Sequence, residues 1–142
     1  MYSITLEIHS ILRYVILLFL VVLIVKHLIG WINQTKFTGF DGVFSTVTVS
    51  TIHLQLIVGI VLYFISPLVS FKSHVMQNEI MRYYTVEHLL LMLVAIGLFT
   101  AGRVKLKKKD DSMIKHRIGF IYNTSGLLIV IAALSMSSRG II

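Results

Sequence analysis

Seven side chains in this 142-residue sequence carry ionisable groups within or beside long apolar runs: Glu7, His9, Arg13, His27, His53, Glu87 and His88. An ionisable group in a bilayer is costly, and it usually turns to the bundle interior, where it pairs or serves a ligand. Four of the seven are histidines. Imidazole is a standard axial ligand for haem iron, and two of them across a helical bundle make a low-spin electron-transfer centre. His9 and His27 stand eighteen residues apart, five full turns, so one helix face carries an imidazole at each end. Arg13 follows His9 by one turn on that face, where it could hold a haem propionate or pair with Glu7 or Glu87. Other chemistries lack their residues. The absence of cysteine excludes disulfides, thiolate metal sites, iron–sulfur clusters, covalent haem attachment and a cysteine nucleophile. HEXXH and glycine-rich phosphate loops are absent, and Ser10 points away from its neighbour His9. Six acidic residues are too few for a zinc hydrolase or a carboxylate-based proton channel.

The elements that must position these groups are membrane helices. The chain is 56% hydrophobic and only 13% charged, where a soluble domain carries about 25% charge. Its mean hydropathy is +0.88, so a water-soluble enzyme is excluded. One proline and nine scattered glycines exclude a Pro/Gly-rich disordered chain. The apolar residues gather into four blocks, about 8–31, 47–71, 84–104 and 118–137, each close to the roughly 20 residues that cross a bilayer as helix. Runs such as LLLMLVAIGLF do not alternate as barrel strands would. The expected fold is all-α: one integral membrane domain, a four-transmembrane-helix up–down bundle. The first block has no basic region before it and no small-residue cleavage site after it, so it reads as a retained helix rather than a signal peptide.

Orientation follows from the basic residues. Arg103–Arg117 reads RVKLKKKDDSMIKHR, with seven Lys or Arg in fifteen positions. Positive loops stay cytoplasmic, so the connection between spans three and four is expected inside, together with Lys26 and Lys36. Both termini and the middle connection are then expected outside. Read this way, the net charge of +7 is a topology signal that anionic lipid headgroups would also satisfy. A nucleic-acid partner is not expected.

Depth sorts the histidines into two layers. His9 lies about 13 Å outward of Leu18, and His88 about 9 Å outward of Val94, so both fall in an outer layer. His27 lies about 13 Å inward of Leu18 and His53 about 11 Å inward of mid-span two, which offers an inner pair; His116 is a further inner candidate. Spans one and three are diagonal in an up–down bundle, and a diagonal of about 11–14 Å accommodates a porphyrin between His9 and His88. The structural alternatives are interhelical hydrogen bonds for His9, His53 and His88. For His27 and His116, which flank lysines, the alternative is an interfacial position among water and headgroups. His74 takes no role. Met92 reads as core, although methionine can ligate haem iron. The stretch YNTSG (residues 122–126) puts polar groups within span four, within reach of the bundle or of a quinone carbonyl.

The segments LEIHSILRYVILL, TIHLQLIVGIVLYFISPLV and VEHLLLMLVAIGL resemble small four-helix membrane proteins catalogued as cytochrome b-like. The resemblance covers nearly the whole chain, and its specific parts are His9 with Arg13, His53 with Gln55, and Glu87 with His88. It implies a b-type haem protein of a bacterial inner membrane. Together these readings give a multi-pass haem-binding subunit relaying electrons, with quinol as one candidate partner. His9 and His88 would be the axial ligands to iron, Arg13 a propionate contact, His53 an inner ligand or quinone donor, and His27 a second inner ligand. With so little mass outside the bilayer, the chain is expected to work with other membrane subunits or with itself rather than as a complete enzyme. The alternative is a non-catalytic accessory subunit whose histidines only bond between helices. A haem-free quinone-binding or transport protein is less favoured, because no inverted repeat or broken helix is evident.

Overall fold

In the computed structural model the described residues are 1–69, 71–72 and 77–136, and among them the chain is all-helical with no strand. Four helices are long and apolar enough to cross a membrane: α1 (Tyr2–Asn33), α2 (Gly39–Ile65), α3 (Glu79–Lys107) and α4 (Ser112–Met136). Each outruns its apolar block at the N-terminal end, and in α2, α3 and α4 polar capping groups carry it further. Thr38 and Asp41 form a reciprocal capping box at the start of α2, satisfying backbone N–H groups that no helical carbonyl can reach. Asp111 Oδ1 accepts from the Met113 and Ile114 amides at the start of α4. At the other end of α1, Gln34 turns left-handed (φ 54°) and closes the helix. Span two stops at Ile65 rather than Phe71. Ser70, His74 and Ser137 lie outside the described residues.

The helices alternate in direction. Along the α2–α3 seam, Thr46, His53 and Tyr63 meet Arg103, Thr100 and Thr85 in reverse order. Side chains facing outward are apolar on every helix, with Leu18, Ile57, Val94 and Leu128 all exposed, whereas His27, Thr48, Thr85, His116 and Asn123 are buried. That inversion of a soluble protein suits a lipid surround, where every backbone polar group must be satisfied within the chain.

Lipid tails are as apolar as leucine, so helix association rests on close packing rather than on the hydrophobic effect. Here the close packing is rings seated on glycines. His27 of α1 lies on Gly119 of α4, and His116 of α4 lies on Gly30 of α1. Phe99 of α3 lies on Gly126 of α4, and Tyr122 of α4 lies on Gly102 of α3. A β-carbon at any of these four glycines would overlap the facing side chain. α4 is thus locked to both neighbours, while α2 has no such lock and packs most loosely against α3. The apolar centre, Ile16, Leu20, Ile52, Ala95 and Phe99, lies at mid-depth and separates the two histidine layers.

Candidate functional site

α3 is not uniformly α-helical. Residues Tyr83–Glu87 form a π-helical turn immediately before His88. In an α-helix residues five apart diverge by about 140°, whereas an i→i+5 turn brings them to one face. The consequence shows in two contacts of that spacing. Arg82 Nε donates to Glu87 Oε1 at 2.7 Å, and the Tyr83 hydroxyl lies 3.3 Å from His88 Nδ1. The Thr85 carbonyl, inside this turn, accepts a hydrogen bond from Tyr63 of α2 at 3.0 Å.

The turn brings His88 of α3 opposite His9 of α1, with ring centres 6.3 Å apart and planes tilted by 56°. Both rings are half-buried and line a cavity of about 190 Å³ among α1, α2 and α3. A single water needs only about 10–15 Å³ of such space, so this is a ligand-sized void. Leu6, Ile16, Leu56, Tyr63, Met92 and Phe99 contribute its apolar wall. Gly59 of α2 faces His9 without crowding it. Each ring is held through Nδ1, His88 by Tyr83 and His9 by the Gln55 amide at 3.3 Å. Among the described residues, no hydrogen bond uses Nε2 of either ring. Arg13 also lines the cavity. Its guanidinium sits 4.8 Å over the Tyr14 ring and Nη2 donates to the Tyr14 hydroxyl at 3.2 Å, while the buried Nε has no partner among the described residues. It does not pair with Glu87, which Arg82 engages, and Glu7 is exposed.

The layer at the other end of the bundle is built differently; the two are named outer and inner after the orientation expected from the basic residues. The expected pairing of His27 with His53 does not form. His27 Nδ1 instead meets His116 Nδ1 at 3.3 Å, with the two residues 1% and 2% exposed. The reason is the seating of each ring on the other helix's glycine, three residues beyond that helix's own histidine. Phe37 stacks on His27 at 6.0 Å and tilts against His116 at 5.5 Å, closing the end of the pair. Neither histidine is interfacial. Nε2 of each is buried, with no partner among the described residues. Two nitrogens bound on opposite faces of one haem iron at about 2.0–2.1 Å each stand about 4 Å apart, so the 3.3 Å contact is too short for an axial pair. His53 points outward on α2, exposed, and shares a 3.0 Å hydrogen bond with Thr100 Oγ1 of α3.

The sequence reading missed the inner partnership, although its signal is printed twice, as H-x-x-G at HLIG (27–30) and HRIG (116–119). It also missed Tyr83 and the π-turn, for which hydropathy carries no signal. Span four contributes only Val130 and Leu134 to the cavity. In the polar stretch of α4, Asn123 donates to its own helix at Gly119 O and Tyr122 accepts from Lys105, while the buried Thr124 hydroxyl has no partner. No family model, no curated protein and no solved structure matches the chain.

Proposed function

We propose that the chain is a b-type haem-binding membrane protein that relays electrons, with the haem held in the outer cavity by His9 and His88. The observation that carries this reading is the 6.3 Å separation of their ring centres. Two imidazoles bound on opposite faces of one iron at about 2.0–2.1 Å per bond have ring centres about 6 Å apart. The neighbouring residues fit the same group. The wall is apolar, and the unpartnered Nε of Arg13 is a donor suited to a propionate. Gly59 leaves room for the His9 ring beside the cavity. Bound there, the haem supplies one-electron transfer. The chain's residues bind and orient it and keep water from it. Quinol is the electron donor that the apolar, lipid-bounded setting favours.

In the same proposal the basic residues around the α3–α4 turn face the cytoplasm and both termini face outward, across a bacterial inner membrane. The small mass outside the bilayer favours work within a larger complex or a homo-oligomer. A second reading, an accessory subunit without a cofactor, draws support from the interhelical bonds His27–His116 and His53–Thr100, which are the use of histidine that such a subunit requires.

A reduced-minus-oxidised visible spectrum with pyridine haemochrome quantitation separates the two. The haem reading expects a low-spin b-type spectrum near one haem per chain, its six-coordinate signature absent from both His9→Ala and His88→Ala. A colourless protein, well folded and retaining its partners, would leave the accessory subunit.

A further inference from the structure

Tyr83 and Gln55 each leave the histidine beside them one way to carry its proton. A neutral imidazole has one N–H and one lone pair. Tyr83 has a single hydroxyl proton, and it goes to the Ala133 carbonyl at 2.7 Å, which can only accept. The same oxygen lies 3.3 Å from His88 Nδ1, so there it accepts, and the His88 proton sits on Nδ1. Nε2 of His88 is then a lone pair. Gln55 imposes the reverse. Its amide nitrogen lies 2.9 Å from the His9 carbonyl oxygen and 3.3 Å from His9 Nδ1. A carbonyl oxygen cannot donate, so the NH₂ group faces both atoms. His9 Nδ1 therefore accepts, and the His9 proton sits on Nε2. Turning the amide over would set two carbonyl oxygens against each other; keeping it leaves Gln55 Oε1 buried without a partner.

Resting on the haem reading of this cavity, we propose that Tyr83 and Gln55 hold the outer histidines in opposite tautomers, making His88 the standing iron ligand and His9 the exchangeable one. His88 offers its lone pair with no rearrangement, and the π-turn keeps Tyr83 on the face where it secures that state. His9 offers a lone pair only after its proton moves to Nδ1. Gln55 must then release Nδ1 or present Oε1 to it, at the loss of its bond to the His9 carbonyl. Tyr83 and Gln55 are positioning residues that act through the rings. Partners of this kind change metal affinity by about 10–100-fold.

The direct test is long-range ¹⁵N–¹H correlation NMR of the imidazoles in the full chain, prepared under haem limitation in detergent micelles. The expected result is Nδ1–H at His88 and Nε2–H at His9. Gln55→Glu, whose carboxylate can only accept, moves the His9 proton to Nδ1. In the haem-loaded protein, Tyr83→Phe speeds haem loss about tenfold and Gln55→Glu slows it by a similar factor. Both rings in one tautomer, or a His9 indifferent to Gln55→Glu, would overturn the proposal. A protein that takes up no haem yet shows opposite tautomers would instead remove the haem reading and leave the tautomer assignment standing.

Discussion

The two ends of the bundle each bring two histidines together, and they do opposite things with them. At the outer end His9 and His88 come from diagonal helices, stand 6.3 Å apart and open on a cavity. At the inner end His27 and His116 come from adjacent helices, touch through Nδ1 and are sealed by Phe37. Residue type is the same; the difference is what backs each ring. The inner rings sit on glycines of the facing helix and cannot retreat, so they close the α1–α4 seam. The outer rings are held by side chains, Gln55 and Tyr83, which fix orientation and leave Nε2 free. Histidine in a membrane bundle is thus a packing group where it meets glycine on an adjacent helix, and a candidate ligand where a polar neighbour holds it away from contact.

Breaking the inner seam gives the largest effect. Gly119→Leu puts a branched side chain where the His27 ring lies, and thermal unfolding in detergent is expected to show a loss of about 3 kcal/mol. His116→Ala removes the partner that His27 Nδ1 has among the described residues and opens a void, at about 2 kcal/mol, with haem content per folded chain expected to be unchanged. At the outer end a smaller change is expected to act on the proposed haem instead. A β-carbon at Gly59 would stand 3.3 Å from His9 Nε2, so Gly59→Ala is expected to cost under about 1 kcal/mol while shifting the low-spin signature. Gly97 has nothing within 4 Å of its β position, and Gly97→Ala serves as the control, within about 0.5 kcal/mol of the parent. A Gly97 variant as damaging as Gly119→Leu would mean that the loss of any span glycine, not ring seating, sets the inner effect, since helix propensity favours Ala over Gly.

Four spans and two histidine layers were legible in the sequence because apolar runs and the 1.5 Å rise decide both. The outer pair was legible too, since up–down connectivity makes α1 and α3 diagonal. Helix ends were not. The α2 start at Gly39 depends on Thr38 capping through Asp41, and hydropathy sees only polar residues there. The inner pairing failed for a similar reason. The apolar block 47–71 sets mid-span two near Gly59, whereas α2 (Gly39–Ile65) is centred on Ile52, so His53 stands at mid-depth beside the apolar centre. The partner of His27 is instead seated by Gly30 and Gly119, small residues that hydropathy treats as neutral. The π-turn left no pattern either, although it decides which face of α3 carries Tyr83.

The central claim is that the outer pair holds a cofactor and the inner pair holds helices. Pyridine haemochrome quantitation on four purified variants, His9→Ala, His88→Ala, His27→Ala and His116→Ala, tests it most directly. The account predicts parental haem per folded chain in the two inner variants, a near-complete loss in His88→Ala, and a loss of six-coordinate character in His9→Ala. Haem that disappears with the inner histidines and survives at both outer positions, or a parent protein with none, would contradict it.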